Sequence, residues 1–185
     1  MSRRSHSRDD ILAAAESIVC EQGAVHLTLD AVAERAGISK GGLLYNYPNK
    51  EALLRAMLAR LLGRCDADRA ALLADAASPA AAHPASDLKA YVEVGFQDSA
   101  ERRQLSAALL AAGANDPRLL RSVKEWQVRN LAEFSRGKRK PLRVLLVMLA
   151  LDGLWLTELL QTAAFGPELR DPLRRELLAL AESSV

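Results

Sequence analysis

The chain has 185 residues, half of them apolar, only 4% aromatic, with a formal net charge of +2. That length suffices for one or two small helical domains with a real core, and the dominance of Ala and Leu favours an all-α protein. Near-neutral charge excludes a binder that works through bulk basicity, the two cysteines (Cys20 and Cys65) form no CxxC pair, and the most apolar stretch is interrupted by Arg143, Asp152 and Glu158, which excludes a membrane span. In chain order, Ser7 precedes a first helix predicted to reach about Gln22. Its apolar face is Ile11, Ala14, Ala15, Ile18 and Val19, and Gly23 ends it. The N-terminus is polar and basic and lacks the apolar core of a signal peptide, so a cytoplasmic protein is expected.

Leu27 to Lys50 (LTLDAVAERAGISKGGLLYNYPNK) is the most informative stretch. Thr28 can cap a helix whose apolar positions Leu29, Val32, Ala33 and Ala36 follow the i, i+3, i+4, i+7 spacing of one face. Gly37 suits the left-handed residue that ends a helix, and Ile38 plugs the turn. Ser39 then caps a second, very short helix. Leu43 and Leu44 are expected to face inward, leaving Lys40, Gly41, Gly42, Tyr45 and Asn46 outward. Pro48 closes that helix and Asn49 caps the next. Helix, tight turn and short second helix are the layout of a helix-turn-helix, which sets its second helix in the major groove of DNA. A plain helical hairpin is the competing reading. Against it, Gly41 and Gly42 each weaken a helix by about 1 kcal/mol relative to alanine, and the outer face lacks the usual Glu/Lys mixture. The first 55 residues carry seven basic side chains (Arg3, Arg4, Arg8, Arg35, Lys40, Lys50, Arg55) and seven acidic ones (Asp9, Asp10, Glu16, Glu21, Asp30, Glu34, Glu51), so placement rather than count carries this reading.

A long helix is predicted from Lys50 to about Ala74, striped by Leu53, Leu54, Met57, Leu58, Leu61 and Leu62. The segment DAASPAAAHP, residues 75–84, reads as a linker. Further helices follow: from a capping Ser86 to about Ala100, from Glu101 to Ala112, from Arg118 to Phe134, from Leu142 to Phe165, and from Glu168 to Glu182. The run RGKRKPLR at 136–143 reads as a solvated basic loop or an anion site. About nine helices, no strand and no repeat result. No nucleophile–base pair, metal-ligand spacing or phosphate loop appears, so neither an enzyme, a metal site nor a cofactor is expected.

The segment TLDAVAERAGISKGGLLYNYPNKEAL, preceded by a helix ending at Gly23, resembles the N-terminal part of the tetracycline-repressor (TetR/AcrR) family of bacterial transcription regulators. LALDGLWLTELL, ending at Leu160, is similar to the penultimate helix of one branch of that family. The resemblance implies a DNA-binding domain at 1–50 and a ligand-binding and dimerisation domain at 51–185. It also implies an Ω-shaped homodimer on a palindromic operator, released when a small-molecule effector moves the fourth helix. Carried over by position, it implies phosphate contacts for Thr28, Tyr47 and Lys50, and groove contacts for Ser39, Lys40, Gly41, Gly42, Tyr45 and Asn46. Leu44, Asn46 and Tyr47 depart from the family's usual Tyr, His and Phe.

The helix after residue 142 is apolar on more than one side, so it needs two partners. The last helix supplies one, and a symmetry mate or a neighbouring helix of the same chain the other. Leu149, Leu156, Leu160, Leu173 and Leu177 are the expected dimer contacts. Tyr91, Phe96, Trp126 and Trp155 either line an effector pocket or simply fill a core. Asp152, an acid within a run of leucines, is read as a network residue, an interface residue or the partner of a cationic ligand. The alternative overall is a helical small-molecule-binding or protein-interaction module without sequence-specific DNA binding.

Overall fold

The computed structural model describes residues 8–74, 85–97, 99–137, 139–162 and 165–184. Arg3, Arg4, Ser7, the 75–84 linker and Lys138 of the basic run lie outside them. Among the described residues there are nine α-helices and no strand: α1 (Arg8–Gln22), α2 (Leu29–Arg35), α3 (Lys40–Asn46), α4 (Lys50–Ala74), α5 (Ser86–Phe96), α6 (Ala100–Asn115), α7 (Arg121–Phe134), α8 (Pro141–Leu159) and α9 (Pro167–Glu182). Short 3-10 turns at Ala24–His26 and Pro117–Leu120 precede α2 and α7. The expected all-α chain of about nine helices is what forms.

Several boundaries differ from the predicted ones for local reasons. Ser86 does not cap α5, because Ala85 holds the capping position and makes no side-chain bond. That helix stops at Phe96, since Ser99 already caps α6 by accepting from the Arg102 amide at 3.2 Å. Gly113 does not break α6. It is buried, and a Cβ there would stand 2.5 Å from Leu120 Cδ2, so close packing explains the glycine. The break comes at Asp116–Pro117, where Asp116 caps the 3-10 turn through the Arg118 amide at 3.2 Å. At the end of α8, Gln161 takes a positive φ of 54°.

Compactness divides the chain elsewhere than at residue 50. One unit comprises Met1–Leu61 with Ser99–Val123, the other Leu62–Asp98 with Lys124–Val185. In the first, α1 packs on α2 and α6, and α2 on α3. Its interior includes Ile11, Ile18, Leu27, Val32, Leu43, Leu53, Met57 and Leu105, each at most 2% exposed. Glu16 is also buried, and Arg60 answers its charge at 3.7 Å.

In the second unit α5, α8 and α9 pack together around Leu88, Val92, Phe134, Val144, Val147, Met148, Leu151, Leu177 and Ala181. The basic run is solvated only in part: Arg136, Gly137 and Lys140 are exposed, while other groups of the run are tied down. Arg139 bonds Asp87 at 2.7 Å and the Phe134 carbonyl at 2.9 Å. The Lys140 amide donates to the Ser184 carbonyl at 2.6 Å, and Arg143 to that of Ser183 at 2.9 Å. Lys140 and Arg143 thereby satisfy carbonyls left open just past the end of α9, a place where cations are also favoured by the helix dipole.

Candidate nucleic-acid interface and effector site

Turn chemistry builds the helix-turn-helix. Thr28 caps α2 by accepting from the Ala31 amide at 3.1 Å, Ser39 caps α3 through Gly42 at 3.1 Å, and Asn49 caps α4 through Ala52 at 2.8 Å. Between α2 and α3 the Ile38 amide reaches back to the Ala33 carbonyl and that of Gly37 to Glu34, both at 3.0 Å. This double bond is the Schellman stop, and it places Gly37 at a φ of 66°, where a side chain is disfavoured. Removing either hydroxyl with Thr28→Ala or Ser39→Ala is expected to cost about 1 kcal/mol. The cost should show as a lowered urea midpoint with an unchanged slope.

The outer face of α3 carries most of the expected residues. Lys40, Gly41 and Tyr45 are exposed, Tyr45 to 89%. Thr28, Ser39 and Lys50 are exposed at their helix starts, and Gly42 is half-buried. A Cβ on Gly41 would meet nothing within 4 Å, and one on Gly42 would only touch Ser39 Oγ at 3.4 Å. No packing within the chain therefore requires glycine at Gly41, while its absent side chain leaves the helix surface low. Lys40 is paired with Asp30 of α2 at 2.9 Å.

Three expectations need correction here. Leu44 does not face inward with Leu43: Leu43 is fully buried while Leu44 is 36% exposed, so only one of the two adjacent leucines anchors α3. Asn46 is half-buried and donates its amide back to the Gly42 carbonyl at 3.0 Å, so it must leave that bond before it can read a base. Tyr47 is a core residue, 6% exposed, and burial raises its phenol pKa above the ordinary value. Its ring packs in the interior of the first unit.

In the second unit Tyr91, Trp126 and Asp152 come together, while Phe96 and Trp155 stay apart from them. Tyr91 and Trp126 have ring centroids 5.9 Å apart, and Phe134 lies 5.2 Å from Tyr91. Gln127 donates its amide to both Asp152 carboxylate oxygens, at 3.0 and 2.8 Å. Burial raises the Asp152 pKa, and the Gln127 bond opposes that shift. The Tyr91 phenol is raised well above its usual range, chiefly by burial and also by the Asp152 charge. Trp126 Nε1 donates to Asp66 at 3.0 Å. Arg69 bonds Asn130 at 3.0 Å and lies over the Phe134 ring at 5.1 Å. By contrast, Phe96 packs at the edge of the core beneath the Arg170 guanidinium, and Trp155 is 40% exposed on α8. Gln127, Asn130 and Arg69 were not singled out from the sequence, because polar residues on amphipathic helices read as solvated.

A second face of α8 remains uncovered. Leu142, Leu146, Leu149, Leu156 and Leu160 are each at least 40% exposed and recur at helical spacing, opposite the buried Val144, Val147, Met148 and Leu151. Leu177, expected with them, is instead 5% exposed and belongs to the core, against which Leu173 also packs.

Comparison with known proteins completes this picture. Residues 85–182 match the family model "Tetracyclin repressor-like, C-terminal domain", and residues 11–57 match "Bacterial regulatory proteins, tetR family". The chain belongs to the TetR family. It is a DNA-binding transcriptional regulator and not an enzyme. No curated protein matches it. Among solved structures, SCO7518 from Streptomyces coelicolor A3(2), named as a transcriptional regulator, is similar at 24% identity and a TM-score of 0.72, over 94% of this chain and 97% of that one. A TetR-family regulator from Rhodococcus sp. is 20% identical at a TM-score of 0.70, over 96% and 97%. The multidrug binding protein EbrR, complexed with ethidium, is 21% identical at a TM-score of 0.69, over 97% and 99%. These likenesses are of fold. No helix among the described residues is long and apolar enough to cross a membrane.

Proposed function

We propose that the chain is a ligand-relieved repressor that holds a pseudo-palindromic operator as a twofold dimer. Residues 1–50 read the DNA, and residues 51–185 hold the effector and the second copy. The observation that carries the reading is the outward face of α3, where Lys40, Gly41 and Tyr45 stand exposed between the capped starts of α2 and α4. Free amides and the dipole at a helix start suit a phosphate, which supports Thr28 and Lys50 as backbone contacts. Lys40 has the chemistry to donate to guanine, and Tyr45 presents an aromatic face to the groove. The uncovered α8 stripe supports a second copy as its partner, since a twofold interface matches one face with itself. The cluster at Tyr91, Trp126 and Asp152 supports an effector site. An effector there lowers operator affinity only through unequal affinity for the bound and released states. The fold neighbour EbrR binds ethidium, which is in keeping with a small-molecule effector.

Fluorescence anisotropy at fixed salt tests the DNA face. Lys40→Ala is expected to weaken operator binding by about 1–3 kcal/mol and relax preference at one base pair. Lys50→Ala should weaken all sequences alike and reduce the salt slope by about 1. Asp30→Asn frees Lys40 and removes an acid beside it, so binding to random duplex should tighten more than binding to the operator. Unchanged affinity in all three variants removes this face from the DNA.

A further inference from the structure

The uncommitted chemistry of the second unit lies around Asp152. Its carboxylate, half-buried on α8, receives hydrogen bonds on both oxygens from one neutral amide, that of Gln127. An amide satisfies hydrogen bonding but leaves the negative charge uncompensated, and burying an uncompensated charge is costly. Among the described residues no cation pairs with Asp152. The nearby guanidiniums are already engaged: Arg129 with Asp66 at 2.7 Å, and Arg69 with Asp66 at 3.5 Å, Glu133 at 3.7 Å and Asn130 at 3.0 Å.

Two further observations point to a ligand and not to a purely structural acid. Gln127 Oε1 and Asn130 Nδ2, one turn apart on α7, are buried without hydrogen-bond partners. Asn130 is fully buried, so its amide has no route to bulk water. Beside them stand the rings of Tyr91, Trp126 and Phe134, whose neighbouring centroids lie 5.2 to 5.9 Å apart. A carboxylate whose charge is felt at Tyr91, with Trp126 packed on that ring, suits a positively charged organic group, which gains from the carboxylate and from the ring quadrupoles together.

We propose that the effector is an organic cation, seated against Asp152 beside Tyr91 and Trp126, with a polar group for the open Gln127 and Asn130 amides. The assignment rests on the effector reading above and gives that effector its charge. Tetraphenylphosphonium and tetraphenylborate serve as probes, being alike in shape and opposite in charge. The chain has two tryptophans, so Trp155→Phe leaves Trp126 as the sole indole and the local reporter. Quenching of Trp126 is expected at lower concentrations of the phosphonium than of the borate. Asp152→Asn, which keeps a hydrogen-bonding group facing Gln127, should weaken the phosphonium at least about tenfold and leave the borate unchanged or tighter. Operator release, followed by anisotropy, should track the phosphonium.

Equal affinity for the two ions, or phosphonium binding that Asp152→Asn does not move, overturns the charge assignment. The comparison of the two ions on the unsubstituted Asp152 decides the matter even where the variant does not fold. The effector reading fails separately: if the phosphonium binds at Trp126 with the expected preference yet operator affinity stays constant, the site exists and does not regulate. If the borate alone binds and releases the operator, regulation stands and the cation falls.

Discussion

Replacing Leu149 and Leu156 together by glutamate is expected to leave the protein monomeric and to strip it of tight operator binding. Both side chains are large, apolar and exposed, at 56% and 40%, on the α8 face turned away from the core. Burying a leucine fully is worth about 1.5–3 kcal/mol. In a twofold interface every substitution counts twice, and four new carboxylates would meet across the axis. Because neither leucine belongs to the core of its own unit, helicity and thermal unfolding of the variant should remain close to those of the parent. Losing the second copy turns one two-headed attachment into two separate ones, a loss of about 10²–10⁴ in affinity. Light scattering reads the mass and anisotropy the affinity. A variant that stays dimeric with the operator held as before would show that α8 is not the interface. Leu177→Glu makes the contrasting control: buried at 5%, it should unfold the unit and not merely separate copies.

Phe134→Ala is expected to be the most damaging single truncation in the second unit. The ring is fully buried, lies 5.2 Å from Tyr91, and carries the Arg69 guanidinium 5.1 Å above its centroid. Truncating such a phenylalanine costs about 3–5 kcal/mol, through lost transfer energy and the cavity left behind. Whole domains are stable by only about 5–15 kcal/mol. The cavity would also loosen Tyr91 and the Arg69 that bridges Asn130 and Glu133. Calorimetry should therefore show a large fall in melting temperature, and Trp126 fluorescence should report a loosened environment. A fall of only a few degrees would mean that the unit collapses around the void.

The first unit was legible in the chain because turn chemistry is local. Thr28, Ser39, Asn49 and Gly37 each act on amides within a few residues, so their roles follow from spacing alone. Leu44 escaped that logic because α3 is only seven residues long, too short for periodicity to choose between neighbouring leucines. Leu177 was misplaced for a related reason: α9 carries leucines on more than one side, and only the approach of α5 and α8 decides which are covered. Asp152 stood out as an acid among leucines, but Gln127 and Asn130 did not, since α7 also carries Lys124, Glu125, Arg129 and Glu133 and looks solvated. Their burial is set by contacts with residues about 25 and 61 positions away. Arg139 was hidden in the same way, as one basic residue in a basic run, until its bond to Asp87 placed it.

The Lys40–Asp30 pair, 2.9 Å apart on the surface of the first unit, bears on how this regulator finds its target. A lysine already answered by an aspartate approaches duplex as half of a neutral couple and displaces fewer condensed counterions on arrival. With a net charge of only +2, bulk charge adds little to the hold on arbitrary sequence that contacts such as Lys50 would give. Each visit to the wrong site is therefore brief, and the genome's vast number of competing sites acts as a weak sink. Occupancy of the right site then follows the number of copies in the cell more than the amount of DNA around them.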